Sequence, residues 1–280
     1  MAHSDLALKS AEIEELSDVY FFRPLGLLVA RAGQALGGTP MTLTIIGTFI
    51  GILGGTFLRY DWLALTGFAL LILHSIFDSA DGQLARMTGR VSDLGRVLDG
   101  MSGYATHIAI YIAIAVGLVH RGAPRSTFIW MLLAGLASAV HAGMYDYHRG
   151  AYTAVVTEAR LPDHHPPKVP RLIGPLMSLY MTMQRALIGL HASVEARLRA
   201  RAAAGQVRDE DRSHYRKSFY PVVRGWNFLG DNTRFYAVGV LVLLHRLDLF
   251  FPFVLVPMNL ALIIIWLWQR RADQKFLSAP

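Results

Sequence analysis

Three carboxylates and an arginine crowd the point where two apolar stretches of this chain meet. Asp78, Asp81 and Arg86 lie in the run Asp78-Ser-Ala-Asp81-Gly82-Gln-Leu-Ala85-Arg86, and Asp99 follows in Gly95-Arg-Val-Leu-Asp99. Carboxylates at membrane depth are costly and mark functional sites. On a helix, Asp78 and Asp81 are i,i+3 neighbours that share one face, with Arg86 within the next turn or so. On the following helix, Gly95, Asp99, Gly103 and His107 recur every four residues and form a second stripe. Two helices running antiparallel about a short turn at 87–94 bring Asp99 opposite Asp78 and Asp81. Such a set of oxygen ligands suits one or two hard cations, Mg2+ or Mn2+.

The elements that must position these residues are membrane helices. The chain has 280 residues, of which 53% are hydrophobic and 17% charged, with mean hydropathy +0.36. A soluble domain carries about 25% charged residues, so this balance belongs to an integral membrane protein. Cysteine is absent, which excludes disulfides and thiolate metal sites. Apolar spans are expected at 41–58, 62–77, 100–119, 127–144, 235–244 and 249–268, several near the ~20 residues a bilayer requires. The fifth is short and is expected to begin earlier, near Trp226, with Asp231 and Arg234 inside the protein or at the interface.

Six spans put both termini on one side. All but four of the 27 Lys and Arg residues fall on that side, the exceptions being Arg59, Arg121, Arg125 and Arg246. This excess marks the cytoplasmic face, so both termini and the aspartate run are assigned there. The net charge of +7 then faces anionic headgroups and a phosphorylated substrate, not nucleic acid. Residues 1–18 are polar and charged, without the core of a cleavable signal peptide.

The expected architecture is an all-α, polytopic membrane protein of one domain, 1–280, with six transmembrane helices. Residues 1–40 form an interfacial region, where Val19-Tyr-Phe-Phe-Arg-Pro-Leu-Gly26 reads as a helix at headgroup level. Gly47, Gly51, Gly54 and Gly55 give the first span a small face for close helix packing. Residues 149–232 form a cytosolic or interfacial insertion with a proline-rich loop, then a helical pattern over 176–199. His164 and His165 fall in that loop and read as solvated.

The aspartate pattern resembles the signature of the CDP-alcohol phosphotransferase family, D-x2-D-G-x2-A-R-x8-G-x3-D-x3-D. Asp78, Asp81, Gly82, Ala85, Arg86, Gly95 and Asp99 fall in register, and the last position, normally aspartate, is Gly103. The run Gly38-Thr-Pro40-Met-Thr-Leu-Thr44 also departs from the family, which often has asparagine where Met41 stands. The resemblance implies metal-dependent transfer of a substituted phosphate from a CDP-linked lipid, CDP-diacylglycerol first, to a polar alcohol or its phosphate, with CMP leaving. It implies Asp78, Asp81 and Asp99 as metal ligands, and Gly82, Ala85 and Arg86 as nucleotide contacts. Small residues at 82 and 85 leave room at the helix backbone, and Arg86 supplies a permanent planar cation.

The family's last aspartate is a candidate base toward the acceptor hydroxyl, and no acidic residue occurs from Gly100 to Met144 to replace it. His107, one turn further along the same face, is the first substitute, and His74 the second. Arg149, Arg224 and Arg234 are candidates for an acceptor phosphate, near Tyr145-Asp146-Tyr147-His148-Arg149, a run that suggests inositol-phosphate chemistry. The expected location is the bacterial inner membrane, and the resemblance implies a homodimer, the common state of six-span family members. Two other classes stay open: a CDP-binding relative that lost turnover with the fourth aspartate, and a divalent-cation transporter.

Overall fold

The computed structural model describes residues 12–90, 93–162, 182, 184–202 and 206–279, excluding the side chains of Asp93, Leu94, Arg96, Val97 and Asp99. Its elements are helical. They are α1 (Arg23–Ala35), α2 (Pro40–Phe57), α3 (Ala64–Thr88), α4 (Asp93–His120), α5 (Thr127–Tyr152), α6 (His191–Arg201), α7 (Asp209–Trp226), α8 (Asp231–Leu243), α9 (Phe250–Phe253) and α10 (Asn259–Ser278). Among the described residues, five stretches are long and apolar enough to cross a membrane: Pro40–Phe57, Asp61–Thr88, Gly100–His120, Thr127–Thr157 and Leu247–Ser278. The protein is therefore an all-α polytopic membrane protein. The remaining predicted span corresponds to α8, which has 13 residues. It does not continue back to Trp226, because a 3-10 turn at Asn227–Leu229 and extended Gly230 separate it from α7.

The chain divides into two compact units. The first comprises Met1–Gly135 with Arg234–Leu255, the second Leu136–Thr233 with Val256–Pro280. In the first, α2 packs on both α3 and α4, and α1 lies on α3. The glycines of α2 make this possible. A Cβ at Gly54 would sit 2.8 Å from the Gly67 carbonyl oxygen on α3, and one at Gly67 would sit 2.7 Å from the Gly54 oxygen. Backbone meets backbone there, the close approach that small residues permit in lipid. Pro40 starts α2 at a position whose N–H would have no intrahelical acceptor anyway, and the Thr39 side chain caps the helix by accepting from Thr42 N–H. The face of α1 buries Gly26 and Ala30, and Ala30 packs with Leu43, Ala80 and Leu84. Leu28 of α1 and Leu36 just past its end are exposed.

In the second unit, α7 runs antiparallel to the polar end of α10. Trp226 Nε1 donates to Gln269 Oε1 at 3.0 Å, while Tyr215 and Phe219 stack near Phe276. His191 on α6 sits between Asp273 Oδ1 (2.8 Å) and the Tyr215 hydroxyl (3.0 Å), all three buried. Arg197 donates to the carbonyls of Phe276, Leu277 and Ala279, satisfying the end of α10. Helix α5 extends past the predicted end at 144 and reaches this bundle, where Arg212 Nε donates to the Val156 carbonyl at 2.6 Å. The pattern read as one helix over 176–199 is interrupted, since Gly189 takes a left-handed φ of 58° and α6 starts at His191. His164 and His165 lie outside the described residues.

Candidate active site

Helix α3 continues without a break from its apolar stretch through the whole aspartate run. It stops at Gly89, whose φ of 67° is the left-handed cap that other residues take at a cost. The run is therefore a rigid helical face in which Asp78, Asp81, Gly82, Ala85 and Arg86 keep fixed offsets. Asp78 is exposed, whereas Asp81 is 5% exposed and accepts from Thr44 Oγ1 of α2 at 2.5 Å. The two carboxylates thus differ: one is held inside the helix packing and the other opens outward.

Arg86 folds back along its own helix. A Cβ at Gly82 would meet the Arg86 guanidinium at 3.4 Å, so the missing side chain at 82 leaves the lane in which Arg86 lies. Asp81, Arg23 and Glu14 are the charges that act on Arg86. Glu14 is buried and forms an ion pair with Arg23, which brings the N-terminal segment to the end of α3. Gln83 Nε2 adds a bond to the Arg23 carbonyl at 3.0 Å. The sequence reading missed Glu14; an acidic residue nine positions before Arg23 and ahead of an amphipathic helix was the available signal.

Gly95 and Asp99 lie on α4, but the Asp99 side chain is outside the described residues. Among the described residues, no group of three or more His, Asp or Glu side chains is placed to hold a metal ion. Asp78 and Asp81 nonetheless fit a hard divalent cation by donor chemistry: both are carboxylates, one turn apart, with one face open.

Gly103 faces open space, since a Cβ there would meet no atom within 4 Å. His107 lies one turn on, and its Nδ1 is 2.8 Å from the Gly103 carbonyl oxygen. A carbonyl only accepts, so Nδ1 carries a proton, and Nε2 is the ring nitrogen through which a base would act. The ring is packed 5.3 Å from Phe235. His74 makes the equivalent bond from Nδ1 to the Gly47 carbonyl at 2.9 Å, is buried, and lies within electrostatic reach of His107.

The three arginines proposed for an acceptor are distributed over both units. Arg149 and Arg224 belong to the second, and Arg234, 2% exposed, to the first. Arg149 donates to the Tyr145 hydroxyl and lies over that ring, 5.5 Å from its centroid.

A stretch of 89 residues is 37% identical to an archaetidylinositol phosphate synthase of Pyrococcus horikoshii, covering 32% of this chain and 47% of that protein. The chain thus spans about half the length of the curated relative it matches. No solved structure matches it. The family model for CDP-alcohol phosphatidyltransferase matches residues 38–197, more than half of the chain and all of α2 to α5. On that span, with the aspartate run inside it, the chain belongs to the CDP-alcohol phosphatidyltransferase family.

Proposed function

We propose that the protein transfers a substituted phosphate from a CDP-linked lipid, CDP-diacylglycerol in the first instance, to a polar alcohol in phospholipid synthesis. The observation that supports this most is the face of α3 on which exposed Asp78, buried Asp81 and the folded-back Arg86 sit together. Gly82, Ala85 and Arg86 are assigned to the nucleotide, where the planar guanidinium meets phosphate oxygens in a fork. Mg2+ or Mn2+, held by Asp78, Asp81 and Asp99, supplies neutralisation of the diphosphate charge when bound.

An apolar cavity in the first unit supports the lipid part of this reading. It has a volume of about 260 Å3 and is lined by Phe21, Phe22, Phe68, Leu71, Ser75 and Phe235, among others. Phe68, Leu71, Ser75 and Asp78 follow one face of α3 at helical spacing, so an acyl chain laid in the cavity points its headgroup toward Asp78.

His107 is assigned as the base in place of the family's fourth carboxylate. The acceptor oxygen attacks the lipid-bearing phosphorus, its proton passes to His107 Nε2, and the bond to the bridging oxygen breaks so that CMP leaves with that oxygen. Asp99 is kept in the catalytic set as the third carboxylate. Arg234, in the same unit as the aspartate run, is assigned to an acceptor phosphate, with inositol phosphate as the acceptor class in keeping with the relative's name. The working location is the bacterial inner membrane, with site and termini cytoplasmic and the chain a homodimer.

Gly103 supports a second reading, a relative that binds CDP without turnover. Purified protein in nanodiscs containing CDP-diacylglycerol separates the two when CMP release is followed with Mg2+ or Mn2+ across a panel of alcohols. Metal-dependent CMP release, largest with inositol phosphate, is the expected result. Nucleotide binding with no CMP from any acceptor selects the second reading. Cation flux into vesicles without need of the nucleotide lipid makes the protein a transporter.

A further inference from the structure

Asp81 is a carboxylate inside the packing of three helices, and what holds it there is a hydroxyl from a different segment. Thr44 Oγ1 lies 2.5 Å from Asp81 Oδ2 and 3.1 Å from the Pro40 carbonyl. A hydroxyl has one proton to give, and the shorter, charged acceptor takes it. The Pro40 carbonyl is the ordinary back-bond of a helical threonine. Both partners are buried, Thr44 at 7% and Asp81 at 5% exposure, so water does not compete for the bond.

The donor is itself well fixed. Thr44 sits in the first turns of a helix begun by Pro40 and capped by Thr39, and its branched Cβ leaves few rotamers. One turn further, Thr48 Oγ1 donates to Ser102 Oγ of α4 at 2.6 Å. Hydroxyls on one face of α2 therefore tie it to both helices of the aspartate motif.

We propose that Thr44 is a positioning residue for the cation site: it orients Asp81 as a metal ligand and does not itself touch the cation. This rests on the metal reading above. Ligand carboxylates depend on such outer partners, and removing one weakens metal affinity or activity about 10–100-fold. The competing role is a tie between helices, which stabilises packing and leaves the cation unaffected.

Mn2+ binding to the purified full chain in nanodiscs, followed by the loss of the free-ion EPR signal without nucleotide, tests the assignment. Thr44→Val keeps the shape and removes the hydroxyl; it is expected to weaken Mn2+ binding about 10–100-fold. Thr44→Ser, which retains the donor, restores binding to within about threefold of wild type on the same reasoning. Thr48→Val breaks the neighbouring tie and leaves Mn2+ affinity unchanged. Where valine does not fold, Thr44→Cys replaces the hydroxyl with a weak donor and gives an intermediate loss. Thr44→Val binding Mn2+ as wild type does, with only its thermal unfolding lowered, overturns the assignment and makes the bond a helix tie. Wild type that binds no Mn2+ overturns the metal reading and this assignment with it.

Discussion

Replacing His107 by asparagine separates its chemistry from its packing. The amide Nδ2 of asparagine occupies the place of imidazole Nδ1, so the 2.8 Å bond to the Gly103 carbonyl is retained. What disappears is Nε2, the only atom of that ring able to take a proton, together with the ring's contact with Phe235. The lost aromatic contact costs about 0.5–1.5 kcal/mol of stability. The lost base costs about 10²–10⁴ in the rate of CMP release. At about 1.4 kcal/mol per decade that is roughly 3–5 kcal/mol, well above the packing loss. Single-turnover CMP release and thermal unfolding on the same nanodisc preparation read the two effects apart. Gly103→Asp supplies the second arm, because its side chain enters open space one turn from position 107. In the His107→Asn background it is expected to bring the rate back to within about tenfold of wild type, a restored carboxylate acting as base. His107→Asn within about threefold of wild type refutes the assignment, since a base of ordinary effectiveness is then not being removed.

Two further outcomes test the architecture. Gly54→Ala drives a Cβ to 2.8 Å from the Gly67 carbonyl oxygen and should lower stability by about 1–3 kcal/mol, whereas Gly135→Ala, with open space around it, should be neutral or stabilising. Differential unfolding in the same detergent checks the pair, and equal effects would mean the α2–α3 contact is looser than described. In the second unit, burial, and after it the charges of Glu195 and Asp273, hold the Tyr215 phenol well above its usual range. A raised folded-state value means its stabilisation is complete below about pH 10 and is lost as pH climbs above that, because only the unfolded phenol then ionises. The melting temperature should therefore fall more steeply between about pH 9 and 11 in wild type than in Tyr215→Phe, and parallel slopes would contradict the burial of a neutral phenol.

Much of the site was legible because its information is local. Offsets of three and eight from Asp78 put Asp81 and Arg86 on its side of one helix whatever the helix packs against, and the uninterrupted α3 keeps them there. Apolar length likewise marked the long helices, five of which, among the described residues, meet the requirement for crossing a bilayer. Ends were less legible. Helices α3 and α5 run on beyond their apolar stretches because polar residues continue a helix when neighbours pack on it. The break before α8 depends on Gly230 taking an extended conformation that composition does not announce.

The sequence by itself determined a helical membrane protein, its family, and the order of the motif residues on their helices, because periodicity and hydropathy act within one segment. Tertiary structure alone decided which carboxylate is buried, that Thr44 holds Asp81 from 37 residues away, that Glu14 closes on Arg23, and that His191 joins Asp273 across 82 residues. These are pairings between segments. Each needs the close backbone approach that the glycines of α2 permit, or the burial that makes a polar group seek a partner, and neither is written in the spacing of any one helix.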